Sequence, residues 1–96
     1  MKILAIEKEN SGVDSGKFDL YSKEEAGRVW ELYKEGVIRE IYFRTDKNEA
    51  VLLLECGDAA EARKILNTLP LVSNGLIDFE IISLKPYPGF ERLFAE

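Results

Sequence analysis

Apolar residues fall along this chain in blocks of two different periods. Ile3, Leu4, Ala5 and Ile6 form a short run bounded by charge, which predicts a strand over Lys2–Lys8. Asn10–Leu20 is rich in Asn, Ser, Gly and Asp and reads as a loop, long for a small domain, with Val13 and Phe18 as its anchors. From Ser22 the period becomes helical. Ser22-Lys-Glu-Glu25 has the form of a capping box, and Ala26, Val29, Trp30, Tyr33 and Val37 make one apolar stripe. Gly36 is placed to end the helix in the left-handed conformation, and Gly27 inside it suggests close packing.

The next stretch, Val37–Cys56, reads as two strands joined by the polar turn Thr45-Asp-Lys-Asn48. Strict alternation puts Arg39, Ile41 and Phe43 on one face, and Ile38, Glu40, Tyr42 and Arg44 on the other. Glu49–Cys56 is nearly all apolar, as expected of a central strand covered on both faces. Asp58-Ala-Ala-Glu61 caps a second helix with the stripe Ala59, Ala62, Ile65, Leu66 and Leu69, which Pro70 stops. Leu71–Gly75 is a linker with room for one helical turn. In the last strand, Leu76–Leu84, Ile77, Phe79 and Ile81 face one way and Asp78, Glu80 and Ile82 the other. Tyr87-Pro-Gly-Phe90 suits a type II turn, and Phe90, Leu93 and Phe94 after it are apolar enough to require a docking surface, on this subunit or another.

The order β-α-β-β-α-β predicts one α+β domain over residues 1–96, with a ferredoxin-like fold: a four-stranded antiparallel sheet with both helices on one face. Ile41 and Phe43, with Ile77, Phe79 and Ile81, would carry the helices. The opposite face, with Tyr42, Ile82 and one row of Val51–Leu54, is then too apolar for a monomer to expose. A second sheet packed against it would bury it, so the pattern predicts a homodimer or higher homo-oligomer with facing sheets.

Composition narrows the partners. The formal net charge is -5, with 18 acidic and 13 basic residues, which argues against nucleic acid. No apolar run approaches a membrane span, and the N-terminus lacks the apolar core and cleavage site of a signal peptide, so a cytoplasmic protein is expected. The single cysteine, Cys56, excludes an internal disulfide. It ends an apolar strand with no histidine in the chain to activate it, and reads as inert core. No metal site and no cofactor are expected: only carboxylates are available as ligands, and Gly12 and Gly16 lack the context of a phosphate loop.

Glu35-Gly-Val-Ile-Arg39, Leu69-Pro-Leu71 and Asp78-Phe-Glu80, with Trp30-Glu-Leu-Tyr33 and Tyr87-Pro-Gly-Phe90, give most of the chain a resemblance to the muconolactone isomerase-like proteins of the dimeric α+β barrel superfamily. The resemblance implies the ferredoxin-like dimer, and a small organic ligand held between sheet and helices or inside the barrel. Several branches of that superfamily use a histidine as acid/base or haem ligand. This chain has none, which excludes the His–Asp pair of the YCII-like branch and ordinary His-ligated haem.

Candidate chemistry rests on strand carboxylates. Glu80 and Glu40 sit in apolar strands. Inside a dimer barrel, desolvation would raise either toward neutrality and equip it to move a proton beside a carbonyl, the chemistry of a lactone or enone isomerase. The plainer reading is an exposed carboxylate, or one paired with Arg39 or Arg44. Tyr42 and Arg44 share the face of Glu40 and would orient a carboxylate or an enolate, against the reading of an interface tyrosine and a solvated arginine. Asp78 lies two residues from Glu80 and would split its pKa from it, unless it is simply wet. Trp30 and Tyr33, one helical turn apart, are core packing or a pocket wall. Two functions stay open: a cofactor-free isomerase, and a non-catalytic small-ligand-binding or assembly module.

Overall fold

The computed structural model describes residues 1–95. Its elements are β1 (Lys2–Glu9), α1 (Gly16–Lys34), β2 (Ile38–Phe43), β3 (Ala50–Glu55), α2 (Ala59–Leu66), the single turn α3 (Pro70–Ser73) and β4 (Ile77–Leu84), followed by a 3-10 turn at Gly89–Leu93. The strands form one sheet in the order β2-β3-β1-β4, each neighbour antiparallel. This is the ferredoxin-like α+β arrangement, with the two apolar strands β1 and β3 at its centre.

The core fills the space between one sheet face and the helices. Ile3 and Ala5 of β1, Leu52 and Leu54 of β3, and Ile77 and Phe79 of β4 supply the sheet side. Leu32 of α1 and Ala62 and Leu66 of α2 supply the helix side. The second helix begins as its sequence predicts: the Asp58 side chain accepts the Glu61 N–H at 2.8 Å, and Glu61 accepts the Gly57 N–H at 2.8 Å. Gly36 ends α1 at φ 81°, where a side chain would be strained. Pro70 follows the end of α2 at Leu66 and opens α3, where its missing N–H costs nothing.

Several local expectations are corrected. α1 starts at Gly16, not Ser22. Asp14 nucleates it: its side chain accepts the Gly16 N–H at 3.0 Å and its carbonyl accepts the Lys17 N–H at 3.0 Å. Ser22 is therefore inside the helix, its hydroxyl donating back to the Asp19 carbonyl at 3.1 Å, and no capping box forms. The loop shrinks to the residues between β1 and Gly16. The longer helix also turns its inward stripe. Phe18, Tyr21, Glu25, Val29 and Leu32 face in, while Ala26, Trp30 and Tyr33 are exposed. A Cβ on Gly27 would meet nothing, so close packing is not its role.

β2 carries an irregularity between Ile38 and Glu40, opposite Leu54 and Leu53. The extra residue returns Ile38 to the helix side, where it is fully buried, instead of sharing a face with Glu40 and Tyr42. Ile41 and Phe43 do lie on the helix side, but at 40% and 66% exposure they anchor no helix. At Pro88 the backbone is helical (φ -88°, ψ -1°), so the C-terminal segment forms a 3-10 turn, not a type II turn. That segment does not dock on its own subunit: Phe90, Leu93 and Phe94 are all exposed.

Candidate active site

A cavity of about 570 Å³ opens between the N-terminal half of α1, α3 and the adjoining ends of the strands. Ile41, Phe43, Leu52 and Phe79 line its sheet side, and Phe18 and Val29 its helix side. Such a volume suits a small ring compound.

Of the four acidic side chains on its wall, Glu9 and Asp19 are exposed, while Glu7 and Glu25 are shielded and come from opposite layers. Glu7 follows Ile3 and Ala5 on the inward face of β1 and is 7% exposed. Its Oε1 accepts the Ala50 N–H at 3.2 Å. Oε2 makes no hydrogen bond among the described residues and is not sealed, and Glu7 is one of the residues lining the cavity. Burial pushes the Glu7 carboxyl up from 4.5 to about 7. The Ala50 hydrogen bond works against that rise, and the nearby charges of Glu49, Glu25 and Glu9 add to it. Glu25 comes from α1, where its Oε1 accepts the Leu71 N–H at 2.9 Å. Burial raises this carboxyl too, while the hydrogen bond opposes the rise. Glu49, behind Glu7, behaves oppositely. It accepts the Glu9 N–H at 3.0 Å, lies 3.5 Å from Lys47 Nζ, and is held below the ordinary carboxylate range by these partners, the hydrogen bond first.

At neutral pH the cavity wall thus carries one carboxyl, Glu7, that is partly protonated. Such a group can take a proton from carbon and give it back.

The residues singled out from the sequence lie elsewhere. Glu40 and Tyr42 do meet, the phenol donating to Glu40 Oε1 at 2.7 Å, but both are exposed on the sheet face away from the helices. This bond pushes the Tyr42 phenol up. Arg44 is not joined to them: it forks onto Asp46 at 2.9 and 2.6 Å, which raises the guanidinium and lowers the Asp46 carboxyl. Glu80 is exposed and pairs with Lys8 at 3.6 Å. Asp78 pairs with Arg63 at 2.7 Å. Trp30 and Tyr33 stack with ring centroids 6.0 Å apart, but at 58% and 48% exposure they are not core. They wall a shallower hollow with Ala26, Val29 and Ile41. Cys56 is half-buried, and burial pushes its thiol up, as an inert cysteine requires. No cluster of His, Cys, Asp and Glu among the described residues could hold a metal ion.

Neither Glu7 nor Glu25 stood out in the sequence, though each left a signal. Strict alternation carried two residues past Ala5 puts Glu7 on the buried face. Glu25 lies four residues after Tyr21 and seven before Leu32, on the inward stripe of the longer helix.

Comparison with known proteins places this geometry in a family. No curated protein sequence matches the chain. Among solved structures it is similar to 5-chloro-2-hydroxyhydroquinone dehydrochlorinase from Burkholderia phenoliruptrix, determined in complex with 2,5-dihydroxybenzoquinone. The TM-score is 0.66 at 15% identity, over 93% of this chain and 98% of that one, a likeness of fold. The sequence model of muconolactone delta-isomerase matches residues 5–89, nearly the whole domain, and the chain belongs to the muconolactone delta-isomerase family.

Proposed function

We propose that the protein is a cofactor-free isomerase that shifts a proton on a small cyclic carbonyl compound, a lactone or an enone, with Glu7 as the base. The observation that carries this reading is the Glu7 carboxyl, raised to about 7 and lining the 570 Å³ cavity. In the reaction Glu7 takes the proton from the carbon beside the carbonyl. The electron pair moves into an enolate. The same carboxyl then returns the proton to the far end of the conjugated system, and the double bond shifts with no net gain or loss of atoms. Glu25, whose carboxyl burial also raises, lines the same cavity from α1. The family model that the chain matches is named for a delta-isomerase, which supports this reading.

We further propose a homodimer with facing sheets. Leu4, Ile6, Val51 and Leu53 form an apolar, incompletely covered surface on the side away from the helices, beside Tyr42 and Ile82. Glu40, Tyr42 and Glu80 belong to that interface in this assembly. Asp78 and Arg44 lie towards its rim, while Trp30 and Tyr33 wall the separate shallower hollow.

The test is proton exchange. Angelica lactone, a neutral five-membered lactone whose double bond can occupy either of two positions, is incubated in D₂O with the wild type and with Glu7→Gln. The wild type is expected to interconvert its isomers and wash in deuterium at the carbon beside the carbonyl. Glu7→Gln should lose at least a hundredfold of this rate. Equal rates in the two proteins would remove Glu7 from the mechanism. Binding without exchange in the wild type would leave a ligand-binding module in place of an enzyme.

A further inference from the structure

We infer that the cavity takes an uncharged ring compound and discriminates against a ligand that carries a free carboxylate. The inference rests on the reading of the cavity as the site and specifies its substrate class. Every charged side chain on the cavity wall is acidic: Glu7, Glu9, Asp19 and Glu25, with Ser15, Ser22 and Asn48 as its neutral polar groups. No lysine or arginine lines it among the described residues. Lys47 and Arg44 are engaged outside it: they lie at 3.5 and 4.0 Å from Glu49, and Arg44 is forked onto Asp46.

A carboxylate guest would leave water for a low-dielectric space, meet only like charge, and find no guanidinium or ammonium to repay its desolvation. An uncharged guest avoids these costs, and the apolar walls Phe18, Phe43 and Phe79 cover its ring. Muconolactone itself is one lactonised carboxyl of a diacid with the other carboxyl free. By this inference it is a poor ligand here, although the family takes its name from it.

A matched pair of probes isolates the charge: muconolactone and its methyl ester, which share the same ring. Backbone amide shifts of Ala50 and Leu71, the donors to Glu7 and Glu25, report on occupancy of the cavity in the intact protein. At pH 8 the ester is expected to bind at least tenfold more tightly than the acid. The ratio should narrow towards pH 6, as Glu7 takes up its proton. The double variant Glu9→Gln/Asp19→Asn removes two wall charges without touching Glu7, the group assigned to proton transfer, and should narrow the ratio at pH 8. Acid binding as tightly as ester at pH 8 would overturn the inference and leave the cavity as the site. Failure of both probes to shift Ala50 and Leu71 would overturn the cavity reading itself.

Discussion

Glu25, in the middle of α1, accepts the backbone N–H of Leu71 at 2.9 Å and so ties the long helix to the start of α3. Leu71 follows Pro70, at the first turn of a helix where backbone N–H groups have no intrahelical acceptor. The carboxyl of a distant residue replaces a local cap. Glu25→Ala removes the acceptor from a partly buried donor and should cost about 1–3 kcal/mol in urea unfolding. Glu25→Gln keeps an acceptor oxygen and should cost far less. Equal losses in the two variants would show that the hydrogen bond is not what matters at this position.

Glu7 predicts a pH dependence with a definite sign. Its carboxyl stands at about 7 in the folded chain against 4.5 as an ordinary carboxyl, so the folded state binds the proton more tightly. The stability this contributes is fully present below about pH 4.5 and is lost as pH rises through 7. Integrated over the window, the loss is about 3 kcal/mol. Glu7→Gln cannot ionise, yet it still offers an oxygen to the Ala50 N–H. Chemical denaturation at pH 5 and pH 8 should show the wild type losing stability relative to the variant across this interval. A constant difference between them would mean that Glu7 titrates near its ordinary value.

How much of this was legible in the sequence follows from which forces set each feature. Strand order and helix number come from hydrophobic period, which is local, and the ferredoxin-like fold was readable from it. The start of α1 was not. Asp14 and Ser22 are both plausible starting residues, and the choice is settled by Phe18 and Tyr21 packing on the core, a tertiary contact. The irregularity in β2 reversed the expected face of Ile38 for the same reason, since one extra residue is invisible to strict alternation. Glu80 and Glu40 drew notice as charges within apolar strands, and both sit where alternation puts them, on the sheet face away from the helices, while the cavity lies on the other face. Glu7 looked like the end of a strand because charges follow it on both faces. Its burial beside a cavity depends on α1 and α3 meeting over the sheet, a tertiary contact.

The two glycines of the α1 region should respond oppositely to alanine. Gly27 lies in the helix interior, and a Cβ there would meet no atom within 4 Å. Gly27→Ala should therefore stabilise the protein by about 0.5–1 kcal/mol, through the reduced backbone freedom of the unfolded chain. Gly36 has room for a Cβ as well, but its φ is 81°. Gly36→Ala should destabilise by about 1 kcal/mol or more, from the left-handed backbone alone. Thermal unfolding of both variants separates conformation from packing, because neither substitution creates a clash.

The C-terminal segment predicts how the proposed dimer is held. The chain measures 60 Å along its longest axis and 29 Å along the next, so it is strongly elongated. Tyr87 and Phe90 pack on each other at 5.1 Å between ring centroids, yet both remain exposed, and Phe94 is 82% exposed. Apolar side chains in this state gain by burial against a second copy, as does the open sheet face around Leu4, Leu53 and Ile82. Leu53→Lys puts a charge at the centre of that face, opposite Leu4 and Glu40, and should give a monomer by native mass spectrometry at micromolar concentration. Changing Phe90, Leu93 and Phe94 together to serine should weaken the dimer without abolishing it if the segment clasps a partner already joined through the sheet. A wild-type chain that stays monomeric under the same conditions would sink the facing-sheet assembly. A serine variant that associates as tightly as the wild type would instead free the segment for another role.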